Sequence, residues 1–131
     1  MMQLDLFAAT IAPPPTDSPI ILRVDLGGHS YGQVIIVMLD DGTWGVGTDD
    51  QFQGYCGHGS PVWPKHDGYP TVRDAVAVAL DKLHEGWTRL AADQSSCCTD
   101  KHRTAARKGL EWINRQYLTY GLDPEPEKAA A

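Results

Sequence analysis

The sequence predicts an α+β domain: a small antiparallel sheet of three or four strands packed against two helices, with an extended N-terminal tail. Three observations carry that expectation. Residues 20 to 48 hold short β-branched runs broken by Gly27-Gly28 and by Asp41-Gly42, the punctuation of strands joined by tight turns. Residues 72 to 117 carry apolar side chains three and four apart, the period of helices buried along one side. The chain is 42% hydrophobic and 21% charged, ordinary for a folded protein, and 131 residues suit one core rather than two.

Residues 1 to 10 form an apolar-rich end, and residues 11 to 19 read as a linker because Pro13-Pro14-Pro15 favours stiff, extended geometry. Ile20 to Leu26 is the first expected strand, ending in the Gly27-Gly28-His29-Ser30 turn cluster. Gln33 to Leu39 is the most apolar run and reads as a central strand covered on both faces. Asp40-Asp41-Gly42-Thr43 supplies a hairpin turn, and Thr43 to Thr48 returns as the third strand. From Asp49 to Pro70 the chain is rich in Gly, Pro and aromatics, so a long irregular loop is expected, with room for one fourth strand near Gln51 to Tyr55.

Thr71-Val-Arg-Asp74 has the form of a helix N-cap with an acid three residues on. The helix after it should bury Val72, Ala75, Val76, Ala79, Leu80, Leu83, Trp87 and Leu90. A second helix is expected from about Thr99 to Tyr120, stopped by Gly121, with Ala106, Leu110, Ile113 and Tyr117 as its apolar stripe. The single domain is therefore expected over residues 20 to 120, and residues 121 to 131 read as a disordered tail.

Charge narrows the partners. Residues 1 to 70 carry eight acids (Asp5, Asp17, Asp25, Asp40, Asp41, Asp49, Asp50, Asp67) against Arg23 and Lys65, a net of -6, whereas residues 71 to 131 balance nine acids with nine bases. Binding to nucleic-acid phosphates rests on Lys and Arg, so this excess argues against direct nucleic-acid binding by the first half. The local exception is Asp100 to Arg115, where five bases face two acids, enough for a weak anionic contact. No basic segment precedes an apolar one and no run of 18 apolar residues occurs, so neither a secretory signal nor a membrane span is expected. Three cysteines, two of them adjacent, do not make a paired disulfide framework, and a cytoplasmic location is expected.

Gln3-Leu4-Asp5-Leu6-Phe7 resembles the peptide by which bacterial replication and repair proteins dock on the DNA polymerase sliding clamp, matching its Gln-Leu-Ser/Asp-Leu-Phe pattern at all five positions. The resemblance implies that Gln3 fills a polar subsite and Leu4 makes a flanking contact. It implies that Asp5 sets conformation and hydrogen bonding, and that Leu6 and Phe7 insert into an apolar pocket of the clamp. A stiff segment behind the motif suits a tether that presents it. The alternative is that Leu4, Leu6 and Phe7 form a short edge strand or fill a gap on the domain's own surface.

Trp44 to Gly47, Cys56 to Pro61 and Tyr69 to Ala75 together resemble the small strand, Gly-rich loop and helix module of partition-type accessory proteins of plasmids, phages and integrative elements. That resemblance spans residues 20 to 90 and brings no catalytic motif with it.

The remaining candidates are aromatic, thiol and imidazole groups. Phe52, Tyr55, Trp63 and Tyr69 could stack on a partner and form a second interaction surface, or they could cover the open edge of a small sheet. Cys56 with His58, and Cys97-Cys98 with His102, lack the ligand pairs at both ends that structural zinc sites show, so no metal and no cofactor are expected. Cys56 with His58 or His66 as base would be a catalytic pair only if one pocket held both, and no nucleophile elbow or phosphate loop appears; no enzyme is expected. The expected function is a non-enzymatic accessory protein of a mobile genetic element that docks on the sliding clamp. The rival is an inhibitor of restriction or CRISPR defence that presents an acidic face to a protein partner.

Overall fold

The computed structural model describes residues 19–62 and 68–122. The fold is α+β, as the sequence predicts: a four-stranded antiparallel sheet in the order β1-β2-β3-β4, followed by two helices. The strands are β1 (Ile20–Gly27), β2 (Ser30–Met38), β3 (Trp44–Phe52) and β4 (Cys56–Ser60). Each joins the next through a short turn, which is the local order that hairpin chemistry favours. At the second turn Leu39 and Thr43 close the hairpin backbone to backbone, and Gly42 takes the positive φ of 85° that the bend demands.

Strand boundaries depart from expectation in the middle of the chain. β2 starts at Ser30 rather than Gln33, because its partner β1 pairs with it as far as the Gly27–Ser30 turn. β3 runs on to Phe52, and the fourth strand lies at Cys56–Ser60 instead of near Gln51 to Tyr55. Four of the five residues in β4 are small (Cys56, Gly57, Gly59, Ser60), so composition conceals a strand that is held by its ladder to β3.

The two helices are α1 (Val72–Ala91) and α2 (Asp100–Thr119). Thr71 caps α1 by accepting from the Asp74 amide at 3.0 Å, as its sequence position predicts. α2 ends in a left-handed glycine: Gly121 N–H donates to Leu118 C=O and Leu122 N–H to Tyr117 C=O, so the last carbonyls are satisfied. Gly121 and Leu122 thus close the helix, and Leu122 packs on the core; the remainder of the expected tail lies outside the described residues.

Both helices lie on one face of the sheet, α1 against β2 and β3 and α2 against β1. Register sorts the side chains between the faces. Leu22, Val34 and Thr48 share a rung, as do Ile20, Ile36 and Val46, and these rungs face the helices. β2 therefore alternates buried and half-buried instead of being covered on both sides: Val34 and Ile36 are fully buried, whereas Ile35 and Val37 look away from the helices. Trp87 of α1 sits at the centre of the core, edge-on to Phe52 with ring centroids 6.2 Å apart and beside Trp112 at 6.5 Å. Gly32 and Gly109 make room for it, since a Cβ on either would stand 2.3 Å and 2.5 Å from the indole. Burial of each such large side chain stabilises the fold by roughly 1.5 to 3 kcal/mol.

Candidate functional site

The clamp-like residues Gln3, Leu4, Asp5, Leu6 and Phe7 lie outside the described residues, and so does Trp63. The other three members of the expected aromatic surface do not gather. Phe52 is 1% exposed and belongs to the core, because β3 extends far enough to point it at the helices; it is no part of a surface. Tyr69 is held at the opposite end of β3, where its backbone exchanges two hydrogen bonds with Trp44. Tyr55 is half-buried, stacked on His102 at 5.1 Å between centroids, and donates its hydroxyl to Asp93.

Around Tyr55 the structure forms a cleft of about 670 Å³ between the β3–β4 edge and the C-terminal half of α1. Asp50 anchors it. The register that pairs Gly32 with Asp50 turns this carboxylate toward the helices, where it is 6% exposed. Its Oδ2 accepts the Trp87 indole N–H at 2.8 Å, and its Oδ1 accepts the His58 amide at 3.0 Å. The His58 ring stands across from it, Nδ1 3.3 Å from the same oxygen, with a side chain 77% exposed. In the tautomer protonated at Nδ1, His58 donates to Asp50 and leaves Nε2 toward solvent. A buried carboxylate is costly unless its oxygens are satisfied, and here three donor groups satisfy them.

Cys56 lies on the same face of β4, two residues from His58, in the same cleft. Partial burial pushes its thiol up, and the nearby Asp50 carboxylate pushes it further, so the thiol is kept protonated rather than activated. The cleft brings a thiol and an imidazole together, yet its electrostatics oppose thiolate formation. It is suited to binding: an apolar floor of Phe52 and Leu90 with a phenol, an imidazole and a carboxylate at the rim. Among the described residues, no group of three or more His, Cys, Asp or Glu side chains is placed to hold a metal ion.

His102 is the residue whose role sequence reasoning misses. It occupies the third position of α2, where its Nδ1 accepts the Thr99 amide at 3.0 Å, while Thr99 Oγ1 accepts the His102 amide. Its Nε2 lies 2.7 Å from the Gln53 carbonyl, so the neutral ring with its proton on Nε2 satisfies both partners. The signal was present as a Thr-x-x-His spacing, which places histidine where a capping box ordinarily has Glu or Gln. Cys98 precedes the helix and is buried near the Leu90 carbonyl.

Among the described residues, the acids of the first half stand in several different settings. Asp25 accepts the Gly27 amide in a turn and Asp41 binds Thr43 in another; Asp49 accepts the Tyr31 hydroxyl at 2.8 Å on the sheet face away from the helices. Asp50 is buried on the opposite face. Among the described residues, four of these acids are thus engaged within the fold. No helix among the described residues is long and apolar enough to cross a membrane. No protein-family model matches the chain, and no curated protein or solved structure matches it.

Proposed function

We propose that this chain is a non-enzymatic accessory protein of a mobile genetic element that docks on the bacterial DNA sliding clamp through Gln3 to Phe7. The observation that carries the reading is the match of Gln3-Leu4-Asp5-Leu6-Phe7 to the docking pattern at every position. One feature supports it. The motif is separated from β1 by a segment containing Pro13-Pro14-Pro15, long enough to present a docking peptide to a partner.

Leu6 and Phe7 would each contribute roughly 1.5 to 3 kcal/mol on entering an apolar pocket. Ordering an extended peptide costs about 1 to 2 kcal/mol per residue, so the net affinity is expected near the micromolar range. The folded domain then carries a second contact, for which the Asp50–His58 cleft is a concave candidate surface. Calorimetric titration of the clamp with the full chain and with a Leu6→Ala, Phe7→Ala variant tests the reading. The wild type should bind and the variant should lose at least about tenfold in affinity, the equivalent of 1.4 kcal/mol. Equal binding by the two proteins would end the proposal.

A further inference from the structure

The face of the sheet turned away from the helices is divided along its length. Near the point where the chain enters β1, it is apolar: Ile21, Ile35 and Val37 lie side by side, Ile21 paired with Ile35, and Ile21 is 54% exposed. Val62 and Leu39 wall this strip on the β3 side, where they fill the space that side chains at Gly45 and Gly47 would occupy. On its other side the strip ends at Arg23, whose guanidinium lies 4.2 Å above the Tyr31 ring and donates to Gln33. Both helices among the described residues pack on the other face of the sheet, and an exposed apolar strip of this kind marks an interaction site.

We propose that Leu6 and Phe7 occupy this strip in the unbound protein, so that the sheet and the clamp compete for the same two side chains. The inference rests on the clamp reading above. Three observations select this occupant. The chain outside the structure joins the sheet at the apolar end, since Ile20 pairs with Ile36 and residues 1 to 18 lead directly into it. Thirteen steps separate Phe7 from Ile20, a reach of about 40 Å at roughly 3.3 Å per residue, whereas neighbouring strands are only about 5 Å apart. The chemistry is complementary: the motif offers two apolar side chains and an acid, and the strip offers Ile21, Ile35 and Val37 with Arg23 at its end. A tether of this length holds the motif at an effective concentration of about a millimolar, so a weak contact suffices to keep it seated.

The clamp then binds only the fraction of molecules whose motif is released, and the apparent affinity falls by that fraction. Two measurements on the intact protein test this. Amide resonances of the full chain and of a variant lacking residues 1 to 10 should differ at Ile21, Ile35 and Val37, independently of protein concentration. In titrations, the clamp should bind the full chain about threefold to tenfold more weakly than a synthetic peptide of residues 1 to 11. Ile21→Lys, a change at an exposed edge-strand position, should return the full chain to the affinity of the peptide. Unmoved amides would overturn the inference. So would shifts that grow with concentration, which would put a second copy on the strip, or shifts that follow Trp63→Ala instead of the deletion. A peptide that fails to bind the clamp defeats the clamp reading alone, because the amide comparison still reports on the strip.

Discussion

Asp50 shows how one carboxylate can organise a core edge. It receives the Trp87 N–H and the His58 amide, and so ties α1 to β3 and β4 at a single point. Trp87→Phe keeps an aromatic ring between Gly32 and Gly109 but leaves one Asp50 oxygen without its donor. Chemical unfolding should show a loss of about 1 to 3 kcal/mol, the usual cost of a buried acceptor stripped of its partner. A variant as stable as the wild type would mean that this hydrogen bond carries no net stability. Two surface pairs contribute to the pH response. The hydrogen bond from Tyr55 holds the Asp93 carboxyl below its ordinary range, and the same bond raises the Tyr55 phenol; Asp49 raises Tyr31 in the same way. The Asp93 contribution is present above the ordinary carboxyl range and is lost as pH falls through its lower, folded value. The two phenols contribute fully below about 10, and that contribution is lost as pH rises through their raised, folded values. In an absorbance titration of the folded protein, the Tyr31 and Tyr55 phenols should therefore ionise above the free-phenol range. Tyr55→Phe should remove one of them.

At the scale of elements, caps decide where the helices begin and what they touch. Thr71 and Thr99 are both N-caps, and the second is part of a contact between elements, because His102 reaches from the α2 cap to the Gln53 carbonyl at the β3–β4 turn. His102→Ala removes the reciprocal cap and the bridge together, and should cost about 1 to 2 kcal/mol in thermal or chemical unfolding. His102→Gln should recover part of that loss, since glutamine can accept the Thr99 amide as in an ordinary capping box. Equal losses in the two variants would assign the stabilisation to the Gln53 contact rather than to the cap. At the other end of the helix pair, the Arg73 guanidinium donates to the carbonyls of Tyr120 and Gly121, and so fastens the start of α1 to the close of α2.

On the scale of the whole molecule, one core joins the sheet to both helices, with Trp87 touching residues of β2, β3 and α2. Unfolding should therefore be a single transition, with helix circular dichroism and tryptophan fluorescence giving coincident curves. Removal of residues 1 to 10 should abolish clamp binding while that transition stays single. Separate midpoints for the two probes would show that the helices and the sheet are not one cooperative unit.

The fold class and most of the elements are legible in local patterns along the chain. The three-and-four spacing from Val72 to Leu90 and from Ala105 to Tyr117, with Thr71 and Gly121 at the ends, is local chemistry that needs no partner to be read. The hairpin at Asp41-Gly42 is legible for the same reason. What only the tertiary structure decided depends on register. Whether Phe52 faces a partner or the core, whether Asp50 is a loop acid or a buried anchor, and whether Ile35 is covered are set by which residue lies opposite, and a shift of one residue reverses each answer. β4 was hidden because its small residues have little strand preference of their own and acquire the conformation from the ladder to β3. The cleft and the apolar strip follow from the same cause: the spacing of residues along the chain is local, but the face on which they meet is a property of the assembled sheet.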